Sequence, residues 1–199
     1  MKAWLFIFFL FCEANVTLCQ NTSVIAFMDD QAVYAGELEI FMQKHRAEVI
    51  RTFVVKQDVT YDSEFWQTEL NGQTPFEYLA QKAMKSLIPY KVQQKLMEEY
   101  GMISNWDWQG FLFDYESYCK DRQRAKSGQE VIYGPVNMNL AAYYQHYFTH
   151  HKHELTRRWE RTYPSSLDLA AFIERKAASA TLKWQEDALI NLANQLTFF

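Results

Sequence analysis

The chain has 199 residues and a mass of 23.6 kDa, enough for one domain with a sizeable core, and its 15 Phe, 12 Tyr and 6 Trp argue against disorder. Only 6 Gly and 4 Pro accompany an apolar content of 49%, so a sandwich or barrel that turns every 8–12 residues or so lacks its turn residues. The formal net charge is −4 with scattered Lys and Arg, so no nucleic-acid footprint is expected, and no apolar run reaches the roughly 18 residues of a membrane span.

Residues 1–19 read as a secretory signal. Lys2 supplies the positive start, Ala3–Cys12 is a ten-residue apolar run, and Glu13, Ala14 and Asn15 end it. Thr17 and Cys19 are the small residues before a cleavage point, so the mature chain would begin near Gln20. Leu18 before Cys19 and Phe11 before Cys12 argue against a lipid-modified Cys. The expected location is therefore extracytoplasmic, in a periplasm or at the cell exterior. Residues 20–199 then form one domain in which Cys119 is the remaining thiol. With no internal disulfide available, the fold must rest on its core, and Cys119 reads as a small buried hydrophobe.

Val24–Met28 and Ala32–Tyr34 form a short hairpin around Asp29-Asp30-Gln31. The period then becomes helical. Leu38, Phe41, Met42, His45, Val49 and Phe53 mark one apolar stripe, which the polar segment 56–63 closes. Thr74 as N-cap and Pro75 at the first helical position announce a second helix that Gly101 ends, with Pro89 expected to kink or divide it. Ser104 with Asp107, in place of the usual Glu, resembles a capping box for a third helix, in which Trp108, Phe111, Leu112, Tyr115, Tyr118 and Cys119 hold helical spacing and which Ser127-Gly128 ends. Val131–Tyr133 reads as brief and extended. Asn139 caps a fourth helix from Leu140 to about Arg161, stopped by Tyr163-Pro164. From Ser166 the periodicity predicts one long last helix, about 46 Å if continuous to Leu196. The fold class is mainly α: several helices introduced by a β-hairpin and closed by a long helix.

Chemistry is sparse. His146 and His150 are four apart on one helical face, a spacing that lets two imidazoles hold a zinc, with Glu154 as a third donor. No Cys and no HExxH pattern accompanies them, so they read as a solvated face beside Lys152, Arg157 and Arg158, and no metal or other cofactor is expected. No G-x-S-x-G and no Gly-rich phosphate loop occurs, and no catalytic residue is assigned. The aromatics are different. Tyr143, Tyr144, Tyr147 and Phe148 form a band wider than one core stripe, and Trp106, Trp108, Phe111 and Phe113 point in several directions. Two readings stay open, a thick core or an apolar groove for peptide segments. In the second, Tyr143, Tyr147, Trp108 and Phe111 would be the contacts.

The order of these features resembles the chaperone domain of SurA/PrsA-type foldases, related to the peptide-binding domains of SurA and trigger factor. The hairpin Val24–Met28 leading into Glu37-Leu38-Glu39-Ile40-Phe41 is one part of the likeness. The segment Phe65-Trp66-Gln67-Thr68-Glu69-Leu70-Asn71-Gly72-Gln73-Thr74-Pro75 is another. Glu99-Tyr100-Gly101, then Glu130-Val131-Ile132-Tyr133-Gly134-Pro135 before Tyr143-Tyr144, extend it over about residues 24–160. The parvulin prolyl isomerase module of full-length members has no counterpart, since only a few residues separate Arg161 from Ser166. The resemblance thus implies an exported, ATP-independent chaperone that binds unfolded or extended polypeptides, with no catalytic residue carried over from the isomerase module. A homodimer formed by exchanging the last helix is a further expectation. Alternatives are a prolyl isomerase without a parvulin module and a dedicated protein-interaction subunit without general holding activity.

Overall fold

The computed structural model describes residues 21–104, 106–128, 135, 137–164 and 167–196. The proposed signal and the extended segment at Val131–Tyr133 lie outside the described residues. The hairpin forms as β1 (Val24–Met28) and β2 (Gln31–Tyr34), with Met28 opposite Gln31 across the Asp29-Asp30 turn. Asp29 turns the chain at φ 51°, a left-handed conformation that short polar side chains tolerate.

β2 runs directly into α1 (Ala35–Gln57), whose expected stripe of Leu38, Phe41, Met42, Val49 and Phe53 is buried while His45 stays partly exposed. After a short 3-10 turn at Phe65–Gln67, Asn71 (φ 53°) and Gly72 (φ 80°) make a tight reversal closed by the Leu70 and Gln73 backbones. It delivers the chain to α2 (Pro75–Glu99). Thr74 Oγ1 accepts from the Glu77 amide at 3.1 Å, and Glu77 Oε2 accepts from the Thr74 amide at 2.8 Å, a reciprocal cap around Pro75. α2 continues through Pro89 as one helix. Proline removes one hydrogen bond there, and burial of residues on both sides, from Leu87 to Val92 and Leu96, holds the turns together. Gly101 at φ 62° ends it, as its missing Cβ allows.

α3 (Trp108–Ser127) begins at Asp107 itself. The carboxylate of Asp107 accepts from the amides of Gln109 and Gly110, so the cap is this residue and not Ser104. Asn139 Oδ1 accepts from the Ala142 amide at 2.8 Å and opens α4 (Leu140–Thr162) as its sequence promises. The end of α4 is anchored twice: Arg158 Nη1 donates to the Tyr100 carbonyl at 2.7 Å, and Trp159 Nε1 donates to the Leu167 carbonyl at 2.7 Å.

The long last helix does not form. It is replaced by α5 (Leu169–Ser179), the strand β3 (Leu182–Trp184) and α6 (Glu186–Leu196). β3 pairs antiparallel with β1 and completes a sheet of order β2-β1-β3. Asp29 sets the break: its amide donates to the Thr181 carbonyl at 2.8 Å, and its Oδ1 accepts from the Thr181 amide at 3.0 Å. A helix through residue 181 would forgo both bonds and the whole β1–β3 ladder. The continuous helix on which exchange between protomers would rest is therefore absent. The fold is mainly α, with six α-helices and a small three-stranded antiparallel sheet among the described residues, and none of these six helices is long and apolar enough to cross a membrane.

Candidate functional site

Between α3 and α4 the aromatic side chains meet. Trp108 stacks on Phe111 at 5.1 Å between ring centroids and 17° between planes, and Phe111 touches Tyr143 (5.4 Å) and Tyr147 (5.5 Å) from α4. Tyr144 and Phe148 lie 4.7 Å apart beneath them, against Trp106 and against Tyr90 of α2. Trp108 is fully buried, and Phe111 and Tyr143 nearly so. Three of the four expected contact residues thus have their rings inside the core of this conformation. The fourth, Tyr147, is only half-buried. It borders a surface hollow of about 310 Å³ shared with Ile103, Trp106, Phe111 and Phe113, and Phe113 is 67% exposed. Burial, with Asp114 nearby, pushes the Tyr147 phenol up to about 12.

Under the aromatic layer lies a polar relay that sequence reasoning missed. Glu37 on α1 and Lys91 on α2 are sealed from solvent and joined at 3.1 Å. The other oxygen of Glu37 accepts from Gln94 Nε2 at 2.9 Å and from the Tyr144 hydroxyl at 3.3 Å. Because that carboxylate accepts, the Gln94 amide must turn its nitrogen inward and its oxygen outward, where it takes Gln31 Nε2 at 3.2 Å. The chain of amides leaves Gln31 Oε1 without a partner among the described residues. Lys91 is held below the usual lysine range by burial, which its carboxylate partner opposes. The available signal was polar residues at core positions of the helical period: Ala83, Leu87, Lys91 and Gln94 follow one another at steps of four, four and three.

Gln31 opens on a cleft of about 710 Å³. Its walls are the hairpin turn with β2, the C-terminal half of α2, and α5, and Trp106 lines both this cleft and the hollow beside Tyr147. Asp29, Asp30, Glu98 and Glu99 contribute carboxylates, against the amines of Lys95 and Lys176. Glu98 is partly engaged, since its Oε1 accepts the Trp106 amide at 2.6 Å.

The histidines stay apart from these features. His146 and His150 are exposed, with ring centroids 6.4 Å apart, and Glu154 is committed to Arg157 and Arg158 at 2.7 and 2.8 Å. Among the described residues no three His, Cys, Asp or Glu side chains are grouped to hold a metal. Cys119 is a free thiol and partly buried. Compared with models of protein families, with curated proteins and with solved structures, the chain matches none.

Proposed function

We propose that this is an exported, ATP-independent polypeptide-holding protein of chaperone type, taking apolar side chains of extended or unfolded chains into the hollow beside Tyr147. The observation that carries this reading is the exposed Phe113 ring next to a half-buried Tyr147 over a floor of Phe111 and Trp106. A client side chain seated there loses water-accessible apolar area at about 25 cal/mol per Å². A disordered client also loses conformational entropy, so binding is weak and broad. The order of the hairpin, α1 and the Phe65–Pro75 segment, which resembles the SurA/PrsA-type chaperone domain, supports the same reading.

One observation favours a second reading, a dedicated interaction subunit. The large exposed hydrophobics among the described residues, Val55, Tyr61, Phe113, Tyr163 and Ile190, are dispersed over the chain, and a general holdase works better with one contiguous patch. Light scattering of a chemically unfolded client, diluted with and without stoichiometric protein, separates the two. Suppression that is weakened in Phe113→Ser/Tyr147→Ser, at an unchanged melting temperature, supports holding. No suppression at several-fold excess sinks it and leaves the subunit reading.

A further inference from the structure

We infer that the cleft between β2, α2 and α5 binds an extended, basic peptide segment that adds as a strand to the free edge of β2. This surface is distinct from the Tyr147 hollow, and the inference does not rest on general polypeptide holding. Among the described residues β2 has a strand neighbour on one side only, since the sheet order is β2-β1-β3. Gln31, Ala32 and Tyr34 of that strand line the cleft, and since the Tyr34 amide already donates to Glu37 Oε2 at 3.3 Å, the edge open to pairing is that of residues 31–33. An edge strand offers a row of backbone donors and acceptors to a chain lying about 4.8 Å away, and a cleft of this volume falls within the usual range for ligand sites.

Charge decides the kind of peptide. Four carboxylates face two amines across the cleft, an excess of two negative charges. Asp30 and Glu99 are exposed there, and their carboxylates make no hydrogen bond or ion pair among the described residues. Two rings of the wall already sit near amines: Lys176 Nζ lies 5.7 Å from the centroid of Phe172, and Lys91 Nζ lies 5.9 Å from that of Trp106. Aromatic faces of this kind accept the stem and head of a Lys or Arg side chain. A bound strand would place alternate side chains on opposite sides, so every second residue of the peptide meets the acidic wall while its backbone pairs with β2.

The test uses three labelled octapeptides and fluorescence anisotropy at low salt. The first alternates Lys and Val, the second has Glu in place of Lys, and the third is the first with alternate backbone amides N-methylated. The Lys peptide is expected to bind and the other two to bind about tenfold more weakly or worse, the second through charge and the third through lost pairing. Asp30→Lys/Glu99→Lys, at exposed positions, is expected to reverse the preference between the first two. Equal binding of the Glu peptide, an N-methylated peptide as good as its parent, or no binding of the Lys peptide would each overturn the inference. The peptide comparisons use the unaltered protein, so they decide even where the double variant folds poorly. Client holding through the hollow is read separately, with Phe113→Ser/Tyr147→Ser, which is expected to leave the Lys peptide bound.

Discussion

Lys91 Nζ donates to Glu37 Oε2 across 3.1 Å with both side chains sealed from water, so one carboxylate on α1 holds an ammonium from α2 while its other oxygen takes the Tyr144 hydroxyl from α4. Three helices converge on one acidic group. Such a site adds little net stability over a well-packed apolar one, because each ion was desolvated to build it. Its consequence is specificity of packing: a shift of any of the three helices would strand a buried charge.

Lys91→Met removes the cation and leaves the Glu37 carboxylate unpaired in the core. The expected cost is about 3–5 kcal/mol in urea unfolding, and Glu37→Gln combined with Lys91→Met is expected to recover much of it. A single Lys91→Met variant within about 1 kcal/mol of the parent would show that the pair is not sealed as described.

Glu39 is the second buried acid of α1, and neither of its oxygens has a hydrogen-bond partner among the described residues. Burial pushes its carboxyl up to about 8 from an ordinary value of 4.5. Between those two values the folded chain keeps a proton that the unfolded chain has released. This group's contribution to stability therefore falls as pH rises through that window and levels off above it. Glu39→Gln removes the slope. Each tenfold change in proton affinity between the folded and unfolded chains is worth about 1.4 kcal/mol. The variant is therefore expected to match the parent near pH 4 and to exceed it by up to a few kcal/mol at pH 9. Unfolding free energies that run parallel for the two proteins across this range would refute the assignment.

Asp107 caps α3 and also lines the hollow, between Trp106 and Trp108. Asp107→Ala leaves two helix-start amides without their acceptor, at an expected cost of about 1 kcal/mol, and Asp107→Asn is expected to retain most of the stability. Thermal unfolding followed by circular dichroism measures both. Equal losses in the two variants would point to charge instead of capping geometry.

Tyr147 lies far above its ordinary ionisation range, so its phenol is neutral where an exposed tyrosine would titrate near 10. If the hollow holds clients as proposed, Tyr147→Phe is accordingly expected to hold them as the parent does, with no pH step between about 8 and 11 assignable to this ring. A step that disappears in Tyr147→Phe would mean the hollow is wetter than its packing implies.

What the sequence alone determines here is local. The turn at Asp29-Asp30, the apolar stripe of α1, the Thr74-Pro75 start of α2 and the Asn139 start of α4 each depend on residues within a few positions of one another, and each is in place. The aromatic cluster was legible as a cluster, but whether it faced inward could not be read, because burial depends on which helix covers which. Tertiary structure decided that Trp108 and Phe111 lie under α4 while Phe113 remains outside. It also decided the end of the chain. The periodicity from Leu169 to Trp184 suits a helix, yet residues 182–184 gain a partner in β1, more than 150 positions earlier, and that ladder with the Asp29–Thr181 bonds outweighs a weak local preference. The buried Glu37, Lys91 and Gln94 follow the same logic. These three polar side chains on core faces are satisfied by partners that arrive from other helices, and no window of adjacent residues contains them.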